Sequence, residues 1–260
     1  MKKIYTTRDI PEQQAYMWNE VKTEDEVSVC QQRRINDYFF KYLTKGEPIL
    51  EAGCGPGTWV IYLRDKGFDV QGIEHDERII SRIKKDMPSL PVQSGDICLL
   101  PFQDSSLGAY ISLGVIEHFE DGVEHPLKEA LRVLRPGGIL ILTVPFNNIF
   151  RKLVAHPLRS LYLFAHRLRH GKTYFAEYRY SEDEVCEMVK KAGFEIVEIG
   201  TDDYNDNSRS MVFWSEFPLL RDKMKPPDLN IVGNSTAFIL NSISKKILAA
   251  GILIVAQKPL

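Results

Sequence analysis

Cysteine is scarce. The four residues Cys30, Cys54, Cys98 and Cys186 lie far apart in a chain of 260, with no CxxC pair and no metal-ligand spacing. That excludes a disulfide scaffold and a zinc module, and reads as reduced thiols in a cytoplasmic protein with no bound metal. Long apolar runs are also missing. The longest, Ile247 to Ala256, falls far short of the roughly 20 residues that cross a bilayer, and the opening MKKIYTTRDIPEQQ lacks the apolar stretch of a secretory signal. Charge of one sign is not in excess. With a formal net charge of −2, no global field draws the chain to nucleic acid or to an anionic membrane, so any such partner must be met by a local patch. Nucleic acid is not an expected partner. No repeat or low-complexity tract stands out.

What is present suits one large domain: 44% apolar residues and 26% charged ones are enough for a real core. Residues 11–44 carry helical spacing at Val27, Cys30, Arg34, Tyr38, Phe39, Tyr42 and Leu43, ended by Lys45-Gly46 and Pro48. Residues 1–45 are therefore expected to be an N-terminal helical segment. It is either a flap over the site carrying Tyr16, Trp18 and Arg34, or helices packed on the domain.

From Pro48 short apolar runs alternate with helical stretches. Strands are expected at 49–52, 69–73, 92–94, 109–113, 139–144, 194–199 and 252–256, and helices at 58–66, 77–86, 127–134 and 181–192. Gly67 stops the first of these helices, and Arg135-Pro136-Gly137-Gly138 is a turn. The last helix opens on Ser181 with Glu184 three residues on, a capping box. This alternation implies right-handed βαβ units and an α/β fold: a doubly wound, seven-stranded, mostly parallel sheet whose last strand is antiparallel. Residues 146–178 and 201–245 have no place in that pattern and are expected to be helical insertions forming a cap on the domain at 46–260.

The strongest local signal is Ile49-Leu50-Glu51-Ala52-Gly53-Cys54-Gly55-Pro56-Gly57-Thr58, a buried strand that runs into three glycines at alternate positions and then a helix. Such a turn needs backbone angles that side chains resist, and lets a ligand approach the backbone. Dinucleotide folds use the same device, so an NAD(P)-dependent oxidoreductase stays open on the turn alone. Two details count against it. Thr58 stands where the dinucleotide pattern wants its third glycine or alanine, and the acid Glu51 lies in the strand just before the turn. A buried carboxylate is costly unless paired.

Glu51-Ala-Gly-Cys-Gly-Pro-Gly resembles motif I of class I S-adenosylmethionine-dependent methyltransferases, in the broad family that includes the ubiquinone and menaquinone biosynthesis enzymes. Further matches fall in order: Glu74 at the end of the second strand, Gly95-Asp96-Ile97 with Leu100-Pro101-Phe102, Leu113-Gly114-Val115-Ile116-Glu117-His118, and Leu131-Arg-Val-Leu-Arg-Pro-Gly-Gly-Ile-Leu. Tyr180-Ser181 through Ala192-Gly193-Phe194 matches the last helix and sixth strand. One departure is plain: Ser106-Leu107-Gly108-Ala109 lacks the aspartate the family usually places near the start of strand four.

The resemblance implies a Rossmann-like fold and S-adenosylmethionine as cofactor. It implies Gly53, Gly55 and Gly57 under the cofactor, Glu74 on both ribose hydroxyls, Asp96 at the adenine amine, Ile97 at the ring edge, Leu113 beside the methionine part, and Glu51 near its ammonium or the glycine loop. His118 is the candidate general base; the alternative is that it starts the next helix and shapes the pocket through a hydrogen bond. No Asn/Asp-Pro-Pro-Tyr/Phe follows strand four, which argues against amino methylation of DNA adenine or protein glutamine. A small-molecule acceptor, anionic or lipid-like, is expected, and a non-catalytic cofactor-binding protein on this fold stays open.

Residues 148–172 hold Arg151, Lys152, Arg159, Arg167, Arg169 and Lys172, three histidines and no acid. Leu158, Leu161, Tyr162, Ala165 and Leu168 recur at helical spacing. The segment reads either as a lid packed on the sheet with a solvated basic face, or as a peripheral contact for lipid or a membrane surface.

Overall fold

The computed structural model describes residues 1–7, 23–222 and 228–260. The parallel core is β2 (Pro48–Ala52), β3 (Asp69–Glu74), β4 (Val92–Ser94), β5 (Leu107–Leu113) and β6 (Leu134–Pro145), joined by β8 (Glu195–Asp202) and β9 (Gly251–Gln257). The seven strands lie in the order β4-β3-β2-β5-β6-β9-β8. Only β9 runs against its neighbours, pairing antiparallel with both β6 and β8, so β8 points the same way as β2 and β6. The Arg135–Gly138 turn is absorbed into the start of β6, where Gly137 takes a positive φ of 74°.

The central strands are almost wholly apolar because both faces are covered. Side chains alternate between the faces. Leu50, Tyr110, Leu140 and Ile254 enter one core with α5 (Glu124–Val133) and α7 (Glu182–Lys191). Ile49, Ile111, Ile141 and Leu253 enter the other with α3 (Thr58–Asp65) and α4 (Glu77–Asp86). Among the sheet's helices Asp76 accepts the Arg78 amide and Ser181 with Glu184 forms a complete capping box, and in the insertion before the last strand Ser210 and Asn230 accept the Phe213 and Gly233 amides.

The amino-terminal residues divide. The helices α1 (Thr23–Cys30) and α2 (Ile35–Tyr42) belong to the second core, where Cys30, Ile35 and Phe39 are buried and Phe39 packs edge-on against Trp59 at 5.2 Å. Arg34 is turned to the end of β8, its amide on the Asp203 carbonyl and its guanidinium on Thr201 Oγ1 at 3.1 Å. These two helices are packed on the domain; Tyr16 and Trp18, named with Arg34 for a flap over the site, lie outside the described residues. Residues Lys2–Thr6 form β1, which pairs antiparallel with β7 (Tyr174–Arg179). No local pattern announces that strand, because its partner lies some 170 residues away in the chain.

Both insertions leave the carboxyl edge of the sheet, the edge at which open α/β sheets place ligands. After β6 the chain makes a π-helical turn (Arg151–Ala155) and then α6 (His156–His170). Between β8 and β9 lie α8 (Met211–Glu216) and α9 (Ile231–Ile243). Phe150 joins the two insertions through edge contacts with Phe213 at 5.2 Å and Phe217 at 5.6 Å. A buried ion network fastens them: Arg151 Nε meets Glu216 Oε1 at 2.6 Å, and Arg179 Nη1 meets Glu216 Oε2 at 3.0 Å. Arg151, read from sequence as part of a basic surface, is therefore an internal anchor.

Candidate functional site

The glycine turn joins the end of β2 to α3. Gly53, Gly55 and Gly57 have φ of 76°, 52° and 80°, so every second residue sits in the left-handed region where a side chain is strained. The Gly53 and Cys54 amides both donate to the Ile73 carbonyl, at 2.8 and 2.9 Å, which moors the turn to β3. Close approach at Gly53 is internal to the protein: a Cβ there would lie 2.6 Å from Val115 Cγ2, a side chain of the loop after β5. At Gly57 a Cβ would lie 2.8 Å from Leu90. Cys54 is small for a similar reason, since Gly72 faces its sulfur. The glycines let three loops close on one point.

Glu74 ends β3 and is buried. Its Oε2 accepts the Gly55 amide at 2.9 Å, and its Oε1 accepts the His75 and Asp76 amides at 2.8 and 2.9 Å. Burial alone would raise its pKa, but the His75 ring and the Asp76 and Gly55 amides outweigh that, and it lies below the usual carboxylate range. Glu74 is thus an ionised clamp across the turn, and Oε2 keeps lone-pair capacity for a further donor.

Glu51, inside β2, is 3% exposed, and its Oε2 has no hydrogen-bond partner. Burial pushes its pKa up to about 8, offset only in part by the Val60 amide and reinforced by the charge of Glu74. The carboxyl is therefore largely protonated at neutral pH, and its unpartnered Oε2 becomes free to accept a donor when the proton leaves.

Asp96 is exposed beyond β4, with Oδ1 holding the Cys98 amide at 2.8 Å. Ile97 turns inward and packs in the same core as Leu100, Leu107 and Tyr110. Leu113 is half-buried at the end of β5. Gly114 follows with φ of 68°, tied to the Thr143 carbonyl, and a one-turn 3₁₀ helix spans Ile116–His118. His118 is exposed, and its Nδ1 stands 2.7 Å from the Ala176 carbonyl of β7. A carbonyl only accepts, so Nδ1 carries the proton and Nε2 keeps a lone pair.

Sequence reasoning passed over Glu117, which is 3% exposed and leaves Oε2 unpartnered. Burial holds its pKa well above the carboxylate range, and the neighbouring Tyr180 hydroxyl is raised by burial and by Glu117. The signal was a carboxylate in an otherwise apolar 3₁₀ turn, masked by the histidine beside it. No group of three His, Cys, Asp or Glu among the described residues could hold a metal.

A doubly wound sheet with a glycine turn, an ionised acid ending the second strand and a buried acid behind the turn defines a nucleotide-cofactor α/β protein. The chain belongs to the methyltransferase-domain family, whose model matches residues 29–199. The matched family is a methyltransferase domain, and relatives that share it are named for S-adenosylmethionine. A Mycolicibacterium smegmatis protein whose name includes the words S-adenosylmethionine-dependent methyltransferase is 28% identical over 151 residues, 58% of this chain and 53% of that one. The demethylmenaquinone methyltransferase of Beutenbergia cavernae is 37% identical over 98 residues, 37% of this chain and 40% of the relative. The chain thus spans about half, or less, of the length of these relatives. A solved S-adenosylmethionine-dependent methyltransferase of Methanosarcina mazei superposes with a TM-score of 0.59 at 21% identity, covering 86% of this chain and 97% of the other; at that identity the likeness is one of fold.

The residues present fit the cofactor. Glu51, just before the turn, presents a buried carboxyl oxygen with no partner, Glu117 presents another in the 3₁₀ turn after β5, and Glu74 offers a charged acceptor beside Gly55.

Proposed function

We propose that this chain transfers a methyl group from S-adenosylmethionine to a small-molecule acceptor of anionic or lipid-like character. The observation that carries the reading is the left-handed glycine turn clamped by Glu74 and following the Glu51 carboxyl, whose Oε2 has no partner. When bound, S-adenosylmethionine supplies an electrophilic methyl group on a sulfonium.

The chain's own residues hold and orient. Gly53, Gly55 and Gly57 keep the turn free of side chains, and Glu74 has lone pairs left for ribose hydroxyls. Asp96, with one oxygen committed to Cys98, has the other for the adenine amine. Ile97 supports the floor from below, and Leu113 closes the strand end beside the methionine part. Glu51 is placed to take the ammonium once it loses its proton. Methyl transfer asks for alignment and exclusion of water more than for covalent help. Where the acceptor is a hydroxyl or protonated amine, His118 Nε2 is the base that removes its proton. Glu117, kept protonated by burial, can donate to an acceptor oxygen.

A second role for His118 is favoured by the Ala176 bond, which makes it a tie between the 3₁₀ turn and β7. The character of the acceptor is inferred from the basic and apolar insertion at the carboxyl edge, and a relative named for demethylmenaquinone is in keeping with it.

Calorimetry against S-adenosylhomocysteine and NADH tests the cofactor. Heat with the first and none with the second is expected, and the reverse result would sink the proposal. Incubation with methyl-labelled S-adenosylmethionine and fractionated small molecules then tests transfer: label in an organic or anionic fraction supports the acceptor class, whereas cofactor binding with no transfer to any fraction leaves a non-catalytic binding protein.

A further inference from the structure

The helix α6 is amphipathic inside out. Its 15 residues bury only His156. Leu158, Leu161, Tyr162, Phe164 and Leu168 are between 55 and 73% exposed. The side turned to the protein is mostly polar: His156 is buried, Arg159, Leu163 and His166 are half-buried, and Arg159 donates to the Tyr5 carbonyl at 3.0 Å, while the exposed Arg167 reaches Thr173 Oγ1 and lies 5.8 Å from the Tyr5 ring centre. A surface helix normally buries its apolar stripe against the core; here the stripe faces out. Residues Leu153 and Ile149, just before the helix, continue the exposed apolar surface.

Its second character is charge. No Asp or Glu occurs between Glu129 and Glu177. Lys152, Arg169 and Lys172 are exposed and enter none of the ion pairs found among the described residues. The other insertion at the same sheet edge adds α9, whose 13 residues IVGNSTAFILNSI include no charge, with Ile231, Val232, Phe238, Ile239 and Ile243 exposed.

We infer that α6 is a membrane-docking helix: it lies in the interface of an anionic lipid bilayer, its leucines and aromatics among the acyl chains and Lys152, Arg169 and Lys172 at the headgroups. Outward apolar residues flanked by uncompensated cations are what such a surface selects. A second copy of this chain suits the face poorly, because a twofold contact would set the same acid-free, basic run against itself. Docking here would hold the carboxyl edge of the sheet toward the lipid. The inference rests on the surface alone and not on the methyl-transfer reading.

Sedimentation of the full chain with vesicles tests it without any turnover. We expect binding to vesicles of phosphatidylcholine mixed with phosphatidylglycerol, weakened by salt, and little binding to phosphatidylcholine alone. The pair Leu161→Asp and Leu168→Asp should lower the partition coefficient at least about tenfold. Arg169→Glu with Lys172→Glu should abolish the preference for phosphatidylglycerol. Both pairs should leave the melting temperature unchanged, since these side chains support nothing. Leu161→Trp should show a blue-shifted emission on anionic vesicles. Protein left in the supernatant with anionic vesicles, equal binding to neutral ones, or a dimer that the leucine pair dissolves without changing vesicle binding would each overturn the inference.

Discussion

Glu74 Oε2 accepts the Gly55 amide at 2.9 Å, so the end of the second sheet strand grips the middle glycine of the turn that follows the first. The same carboxylate is offered to the ligand, and its loss has two expected consequences. Glu74→Ala should weaken S-adenosylhomocysteine binding by roughly 10- to 100-fold, the worth of hydrogen bonds to a charged group at about 1.5–3 kcal/mol. It should also lower the melting temperature, because three buried or half-buried amides lose their acceptor. Calorimetry and thermal melts on one preparation separate the effects; a lower melting temperature with unchanged affinity would make Glu74 a structural clamp alone.

Glu51 predicts a proton release. Its pKa of about 8 in the folded chain means that a cationic group beside it favours the carboxylate. Affinity for S-adenosylhomocysteine should therefore rise with pH, by up to about tenfold per unit, and level off above about pH 8. Glu51→Gln should flatten that rise. Stability runs the opposite way. The folded pKa lies above the ordinary unfolded value, so the protonated carboxyl's contribution is complete below that ordinary value and is lost as pH climbs through about 8. Relative to wild type, Glu51→Gln should melt higher above about pH 8 than near pH 5. Identical pH dependence of the two proteins would remove Glu51 from both roles.

His118→Asn distinguishes base from tie once an acceptor is known. As a base, His118 is worth roughly 10²–10⁴ in turnover, its loss flattens the acidic limb of the pH–rate profile, and cofactor affinity stays put. As a tie to Ala176 only, the loss stays below about tenfold, the pH profile is unchanged, and β7 amides exchange faster with solvent.

Glu216→Ala should be among the most damaging substitutions outside the site. It leaves the buried Arg151 with no carboxylate and the buried Arg179 with Glu177 alone, and breaking a buried pair costs about 3–5 kcal/mol. Burial pulls the Glu216 pKa up, but Arg151 and Arg179 overcome it and leave it depressed. The stability this pair gives is therefore present above the ordinary carboxylate pKa and is lost as pH falls through the folded value. Acid denaturation curves should converge for wild type and variant below that point. A variant as stable as wild type at neutral pH would show the network to be dispensable.

The sheet could be read from the chain because its strands are short apolar runs between glycine and proline punctuation, and the glycine turn because its pattern is local. Glu51, Glu74 and the three glycines fall together as their order along the chain implies. What escaped the sequence depends on distant partners. The strand β1 needs β7, Arg151 needs Glu216, and Val115 explains Gly53 only once β5 lies beside β2. Ile97 matched a motif by position, and its side chain enters the core. Along α6 the helical period was legible but not its direction: periodicity names a face without saying what the face looks toward.

The place of β9 sets an order of assembly. Strands β6 and β8 are both synthesised well before residues Gly251–Gln257, yet neither can complete its pairing without them. A nascent chain that has emerged only as far as α9 holds Ile139–Val144 with an open edge, apolar but for Thr143, the kind of edge that recruits strands from other chains. Loss of β9 would therefore give not a smaller working domain but a five-stranded sheet with β8 cut away from it, a substrate for chaperones and proteases.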